Sequence, residues 1–141
     1  MKILLAVDGS DYTRRMLAYM AEHDKTFGAN SEYTVLHTVA AVPNRAAAFA
    51  GSDVIRGYYD DEARAVLEPI RALLAKHGIE AQYEHRSGQP AAEIARFAEQ
   101  GRFDLVVMGS HGRRGLEKLV LGSVAQRVLA HATLPVLVVR D

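Results

Sequence analysis

The sequence predicts a single-domain α/β protein with an open five-stranded parallel sheet and helices on both faces. Short apolar runs of strand length alternate with segments of helical periodicity, which is typical of βα units joined by right-handed crossovers. Most of these runs are continuously apolar, as expected for strands that are covered on both faces. The length of 141 residues, without an evident linker or internal repeat, fits one domain.

Four apolar runs predict buried strands, and one alternating run predicts a strand at an exposed edge. In chain order the five segments are KILLAV (2–7), YTVLHTV (33–39), IEAQYEHR (79–86, the edge strand), DLVVM (104–108) and LPVLVV (134–139). A segment with helical spacing lies between each pair, so the predicted element order is β-α-β-α-β-α-β-α-β.

The second helix has the clearest periodicity. It is predicted over about 56–77, with a bend at Pro69 because an interior proline removes a backbone hydrogen bond, and with Gly78 just beyond its end. Residues 40–57 are small, rich in Gly and Ala and without a sustained period, so we expect a mobile connection there.

The other three helices are predicted from their first residues. Ser10 or Asp11 caps the first helix, Pro90 stands at an early position of the third, and Ser123 is the predicted N-cap of the fourth. The side chains expected to face the core are Met16, Leu17, Met20, Val66, Leu67, Ile70, Leu73, Leu74, His77, Ile94, Phe97, Ala98, Val124, Val128 and Leu129.

The composition excludes several classes of function. Seventeen basic residues balance seventeen acidic ones, which argues against a broad electrostatic surface for nucleic acid or anionic membranes. The absence of cysteine excludes disulfides, thiolate catalysis and zinc sites with cysteine ligands. The first apolar run, 3–7, is too short for a signal peptide or a membrane span, so we expect a cytoplasmic protein without membrane insertion.

The stretch MGSHGRRGLEKLVLGS (108–123) predicts an anion site, because parallel sheets bind ligands beyond the carboxyl ends of their strands. Gly109 and Gly112 are expected to turn with positive φ and to bring backbone N–H groups close to a phosphate. Gly122, Ser123 and Val124 form the predicted start of a helix, where free N–H groups and the helix dipole attract anions. The spacing matches neither GxxxxGK[ST] nor GxGxxG.

Other polar clusters are better explained by structure than by chemistry. His37 lies in an apolar strand and is predicted to be a packed core histidine, and Asp60, Asp61 and Glu62 suit an early helix turn. Tyr58 and Tyr59 fit packing against the connection as well as stacking on a base. No HExxH or GxSxG motif is present, so a transition-metal site and a serine nucleophile are not predicted.

The chain resembles the universal stress protein family, and specifically its ATP-binding branch. The resemblance covers essentially the whole chain and rests on KILLAVDGS, VLHTV, SGQPAAEIARFA, DLVVMGSHGRRG and LGSVAQRVLAHATLPVLVV, with the spacing G-x2-G-x9-G-S. It implies the strand order 3-2-1-4-5 and a bound adenine nucleotide, ATP, ADP or AMP, with Mg or Mn held through the phosphates.

The resemblance also implies roles for particular residues. Asp8 is expected near the ribose and the phosphate-bound ion, His111 and Arg113 beside the phosphates, and Thr38 and Val39 at the adenine. The full expected nucleotide site is Ala6, Asp8, Thr38, Val39, Met108, Gly109, His111, Gly112, Arg113, Gly122, Ser123 and Val124.

The function expected from these observations is that of a dimeric, ATP-binding regulatory protein of the stress response. Nucleotide occupancy is expected to order 109–123 and to bias a dimer surface presented to an unknown protein partner. The resemblance implies a homodimer through the last strand, at Val136, Leu137, Val138 and Val139, and an apolar edge strand is expected to be covered. Two alternatives remain open: a slow ATP-hydrolysing or adenylate-handling enzyme, and a nucleotide-free dimeric scaffold.

Overall fold

A computed structural model describes residues 1–112 and 120–140. Within them five parallel strands form one sheet in the order β3-β2-β1-β4-β5, which confirms the predicted sheet and its order. The strands are β1 (Lys2–Val7), β2 (Glu32–Val39), β3 (Ala81–Ser87), β4 (Leu105–Gly109) and β5 (Val136–Val139). The alternating segment forms the edge strand β3, as expected.

Helices cover both faces of this sheet. In the described residues they are α1 (Asp11–Glu22), α2 (Asn44–Ala50), α3 (Ser52–Lys76), α4 (Pro90–Gln100) and α5 (Ser123–His131). Odd-numbered residues of β1, such as Leu5, pack against α1 and α3, whereas even-numbered ones, such as Leu4, pack against α4 and α5. The two apolar clusters confirm that β1, β2 and β4 are buried from both sides, whereas β5, predicted to be buried, is only half-buried because it lies at the other edge of the sheet.

Residues 40–57, predicted to be a mobile connection without helical period, are largely helical. These residues contain α2 and the first turn of α3, and the N–H of Val42 donates to the Tyr59 hydroxyl at 2.9 Å. The apolar period is missing because α2 buries none of its residues, so its alanines promote a helix without marking an inward face. Helix α3 begins four residues earlier than predicted and continues through Pro69.

Two outward-facing side chains also differ from the prediction. Leu129 is 44% exposed because Ala125 and Val128 take the inward positions of the short helix α5, and the next residue points about 100° away. His77 is the exposed C-cap of α3 rather than part of its apolar face.

The C-terminus of α3 shows why Gly78 follows it. Gly78 has φ +72°, its N–H donates to the Ala75 carbonyl, and the N–H of Ile79 donates to the Leu74 carbonyl, both at 3.0 Å. These two bonds form a Schellman motif, in which glycine takes the left-handed position at the lowest conformational cost.

Helix α4 ends in the same motif with an arginine at the left-handed position. Arg102 has φ +52°, and the N–H of Phe103 donates to the Ala98 carbonyl at 3.0 Å. We expect Arg102→Gly to raise the free energy of unfolding by about 1 kcal/mol, measured by urea denaturation, because glycine removes the left-handed strain.

The neighbouring residue provides a control of opposite sign. A Cβ at Gly101 would lie 2.4 Å from Cε2 of Phe103, so Gly101→Ala is expected to destabilise the protein by about 1–3 kcal/mol. An unchanged or lower stability of Arg102→Gly would contradict the assignment of strain to this residue.

Candidate functional site

The candidate site lies where the winding of the sheet reverses. From β1 the chain proceeds outward to β2 and β3, and it then crosses to β4 and β5 on the other side. Ala6 and Met108 are paired across β1 and β4, and both face the cluster under α4 and α5. The carboxyl ends of these two strands therefore border one crevice, as the fold class requires of a ligand site.

Asp8 forms the β1 side of the crevice and is held by the start of α1. Its Oδ1 accepts hydrogen bonds from the Ser10 N–H and from the Thr13 hydroxyl, both at 2.9 Å, and its own N–H donates to Thr13 Oγ1 at 3.1 Å. Ser10 caps α1 as predicted, because its hydroxyl accepts from the Thr13 N–H at 3.3 Å. The carboxylate is thus oriented before any ligand arrives.

The glycines at and just beyond the end of β4 allow a close approach of neighbouring groups and do not adopt unusual backbone angles. Neither Gly109 nor Gly112 has positive φ, so that part of the prediction is wrong. A Cβ at Gly109 would lie 2.9 Å from Cβ of Tyr12, and a Cβ at Gly112 would lie 2.5 Å from Oδ2 of Asp8. The segment leaving β4 is therefore pressed against α1 and Asp8, and no other residue type fits without a shift.

Gly122 closes the crevice from the far end of the loop. Its N–H donates to the Ser110 carbonyl at 2.8 Å, and a Cβ there would lie 3.0 Å from Cα of His111. Gly122 is the N-cap of α5 and Ser123 its first helical residue, with no side chain capping this end. The prediction of Ser123 as N-cap is wrong, because the helix begins at Ser123 and Gly122 is its N-cap. The prediction of a free N–H at Gly122 is also wrong, because that N–H donates to the Ser110 carbonyl.

The N–H groups of Ser123, Val124 and Ala125, at the start of α5, have no acceptor among residues 1–112 and 120–140. Groups at this position of a helix cannot bond within the helix, and they carry the positive end of its dipole.

Three residues at the crevice were missed by sequence reasoning. Ser110 is 2% exposed, and its hydroxyl lies 3.0 Å from Nδ1 of His111, while its carbonyl holds Gly122. The ring of Tyr12 lies 4.9 Å from that of His111, and Thr13 holds Asp8 as described above. Only Thr13 had a detectable signal, since a threonine three residues after a capping serine is well placed to bond the turn.

The end of β2 contributes a buried hydroxyl with no bond. Oγ1 of Thr38 is inaccessible and has no hydrogen-bond partner in the described part of the chain. The side chain of Val39 belongs to the opposite cluster, and its carbonyl accepts from the Gly88 N–H at 3.0 Å. His37 is 8% exposed with Nδ1 2.9 Å from the Val7 carbonyl, which confirms it as a core histidine.

The remaining candidates lie apart from the crevice or outside the described residues. Asp60 and Asp61 sit in the middle of α3 rather than in an early turn, where they lie 3.2 Å from His85 and 3.8 Å from Arg64. Residues 113–119, which include Arg113, lie outside the part of the chain that the structure describes.

The described residues contain neither a candidate metal cluster nor a candidate membrane-spanning helix. In 1–112 and 120–140 no three His, Asp or Glu side chains form a group that could hold a metal ion. Among the helices of these same residues, none combines the length and apolar content that a membrane span requires.

Tyr59 packs against the core, and Tyr58, which is 45% exposed, lies beside it with ring centroids 5.8 Å apart.

Comparison with known proteins gives one consistent family. The model of the Universal stress protein family matches residues 1–140. Universal stress protein MJ0531 of Methanocaldococcus jannaschii is 35% identical over 140 residues, covering 99% of this chain and 81% of that protein. Universal stress protein YxiE of Bacillus subtilis is 30% identical over 150 residues, covering 99% of this chain and 98% of that protein.

Solved structures share the fold. Hypothetical protein MJ0577 aligns with a TM-score of 0.81 at 30% identity, over 99% of this chain and 95% of that one. A family protein of Arabidopsis thaliana with AMP bound aligns with a TM-score of 0.70 at 19% identity, covering 100% and 92%. A universal stress protein in complex with cAMP aligns with a TM-score of 0.65 at 21% identity, covering 99% and 96%.

Proposed function

Because the chain belongs to the universal stress protein family, we propose that it acts in the stress response as a regulatory protein that binds an adenine nucleotide, with ATP as the main ligand. One observation carries this proposal. The loop after β4 is pressed onto Asp8 at Gly112, and its far end is tied to Ser110 at Gly122, so that the start of α5 faces the same crevice.

This crevice suits the phosphates of a nucleotide. Backbone N–H groups at Ser123, Val124 and Ala125 are donors without acceptors in the described residues, and an anion is their natural partner. Glycine at 112 and 122 lets a phosphate approach the backbone where a side chain would block it. In the proposal, Arg113 and His111 stand beside the phosphates and supply charge or hydrogen-bond donors.

The other end of the crevice suits a nucleoside. Thr38 offers a buried hydroxyl without a partner in the described chain, and a buried polar atom of this kind is normally satisfied. Ala6 and Met108 lie on the same face of the sheet and offer apolar contact for a base or ribose. The AMP and cAMP complexes of proteins with the same fold support an adenine nucleoside as the occupant.

A divalent ion enters the proposal only with the nucleotide. Mg²⁺ or Mn²⁺ bound to the phosphates neutralises part of their charge, and Asp8 is the carboxylate that faces it. The Ser10 N–H and the Thr13 hydroxyl hold this carboxylate in place, and in the proposal it is the protein group that meets the ion.

The proposed regulatory output is a homodimer formed through β5. Hydrogen bonds from Val106 N–H to the Pro135 carbonyl and from Ser110 N–H to the Val139 carbonyl are both 3.0 Å and tie the odd-numbered residues to β4. The backbone groups of Val136 and Val138 therefore face the open edge, and the four apolar residues of β5 are only half-buried. An apolar edge of this kind favours pairing with a second copy.

The first experiment identifies the ligand. Freshly purified protein is denatured, released small molecules are identified by mass spectrometry, and stripped protein is titrated with Mg-ATP in a calorimeter. We expect a released adenine nucleotide or a saturable binding heat, a higher melting temperature with Mg-ATP, and a dimer by light scattering. No nucleotide, no heat and an unchanged melting temperature would overturn the proposal and favour a dimeric scaffold.

A further inference from the structure

Three side chains form a row beside the crevice, and the roles described above do not account for Tyr12, which lies in the middle. The ring centroids of Tyr12 and His111 are 4.9 Å apart with an interplanar angle of 39°, and the guanidinium of Arg15 lies 5.2 Å from the centre of the Tyr12 ring. Tyr12 and Arg15 belong to the first turns of α1, whereas His111 belongs to the loop after β4. The stack therefore joins the two walls of the crevice.

The backbone of Tyr12 also lies close to Gly109, at the end of β4. A Cβ at Gly109 would lie 2.9 Å from Cβ of Tyr12 and 3.1 Å from its carbonyl carbon and oxygen. Helix α1 is in turn anchored at Asp8 through Thr13 and Ser10. Tyr12 therefore belongs to a well-anchored part of α1, as is required of a residue that positions His111.

The ring of His111 is restrained on two sides. The ring packs at an angle against Tyr12, and its Nδ1 lies 3.0 Å from the Ser110 hydroxyl, which is itself buried. When this hydroxyl donates to Nδ1, the proton of the neutral ring is on Nε2. The atom Nε2 is then the donor that His111 presents.

We propose, building on the nucleotide-binding function proposed above, that Tyr12 is a positioning residue for the phosphates. Its ring holds His111 so that Nε2 donates to the phosphate chain, and Arg15 supports the opposite side of the stack. Tyr12 makes no contact with the nucleoside in this arrangement. Its contribution to affinity therefore depends on the phosphates being present.

The chain offers a matched control on the same helix. Tyr19 stacks on His23 with ring centroids 4.2 Å apart, at the other end of α1 and away from the crevice. A substitution at Tyr19, like one at Tyr12, removes a ring contact between a tyrosine of α1 and a histidine, but it leaves the loop unchanged.

Calorimetric titration with Mg-ATP and with adenosine, on stripped wild-type protein and on Tyr12→Ala, Tyr12→Phe and Tyr19→Ala, tests this role. We expect Tyr12→Ala to weaken ATP binding by about tenfold and to leave adenosine binding unchanged, because one donor to a charged group is misplaced. Tyr12→Phe retains the ring and is expected to bind ATP as the wild type does, and so is Tyr19→Ala. Equal losses for ATP and adenosine, or no loss for ATP, would overturn the proposal.

A second measurement separates this role from the binding function itself. In the nucleotide-free protein, the ring-proton resonances of His111, assigned with His111→Gln, are expected to shift in Tyr12→Ala but not in Tyr19→Ala. If they do not shift, Tyr12 does not hold His111 and the proposal fails even where ATP binds. If they shift but wild-type protein binds no ATP, the stack exists, the nucleotide function fails and the phosphate role of Tyr12 fails with it.

Discussion

Gly112→Ala is expected to weaken ATP binding by at least about 100-fold, which is the loss of two or more hydrogen bonds to charged phosphate. The new Cβ would lie 2.5 Å from Oδ2 of Asp8. That carboxylate cannot give way easily, because its Oδ1 is held by the Ser10 N–H and the Thr13 hydroxyl. The loop has to move instead, and the two walls of the crevice separate.

Gly122→Ala tests the same closure from the other end. Its Cβ would lie 3.0 Å from Cα of His111 and 3.1 Å from the Ser110 carbonyl oxygen, both of which are backbone atoms. The φ of Gly122 is −62°, an angle that alanine adopts freely, so any loss of binding is steric and not a result of backbone strain. We expect a loss of ATP affinity similar to that of Gly112→Ala.

Gly57→Ala is the control for these two substitutions. Gly57 lies exposed in α3, and a Cβ there meets nothing within 4 Å. This variant is expected to bind ATP like the wild type and to gain about 0.5–1 kcal/mol of stability, since alanine is the better helix residue. Wild-type ATP affinity in Gly112→Ala, measured by calorimetry beside this control, would show that the loop is not the phosphate site.

Thr38→Val is expected to have effects of opposite sign on stability and on binding. The Oγ1 atom is buried without a hydrogen-bond partner among the described residues, and an unsatisfied buried hydroxyl costs about 1–3 kcal/mol. Valine has nearly the same shape and no hydroxyl. We therefore expect the nucleotide-free protein to unfold at higher urea, with a gain of about 1–2 kcal/mol, and ATP binding to weaken by about tenfold.

Thr13→Val makes the same chemical change where the hydroxyl is used. Its Oγ1 donates to Asp8 Oδ1 at 2.9 Å and accepts from the Asp8 N–H at 3.1 Å, so its loss is expected to destabilise the protein by about 1–3 kcal/mol. A Thr38→Val protein that is less stable than the wild type would show that its hydroxyl is satisfied. One that is more stable yet binds ATP normally would remove Thr38 from the site.

The opposite effects on stability and on ATP binding that we expect of Thr38→Val are typical of a ligand site. A hydroxyl that costs stability without a ligand is retained when the ligand satisfies it. Thr38→Val is therefore expected to raise stability at the expense of binding.

The strands, and most of the helices, could be predicted from the sequence because the signals for them are local. Continuous apolar runs mark strands covered on both faces, and Ser10 and Gly78 act through bonds to residues at most a few positions away. The same local logic failed for α2. That helix buries no side chain, so its residues show no period.

The fold class, the strand segments and the position of the loop at the end of β4 could all be predicted from the sequence. The role of Gly109 and Gly112 could not be predicted, because the space at Gly112 is limited by Asp8, 104 positions away in the chain, and the space at Gly109 by Tyr12. The same holds for the hydrogen bond from the Gly122 N–H to the Ser110 carbonyl and for the contact between the rings of Tyr12 and His111. Contacts between distant segments depend on how β1 and β4 pair, and no pattern within either segment encodes their distances.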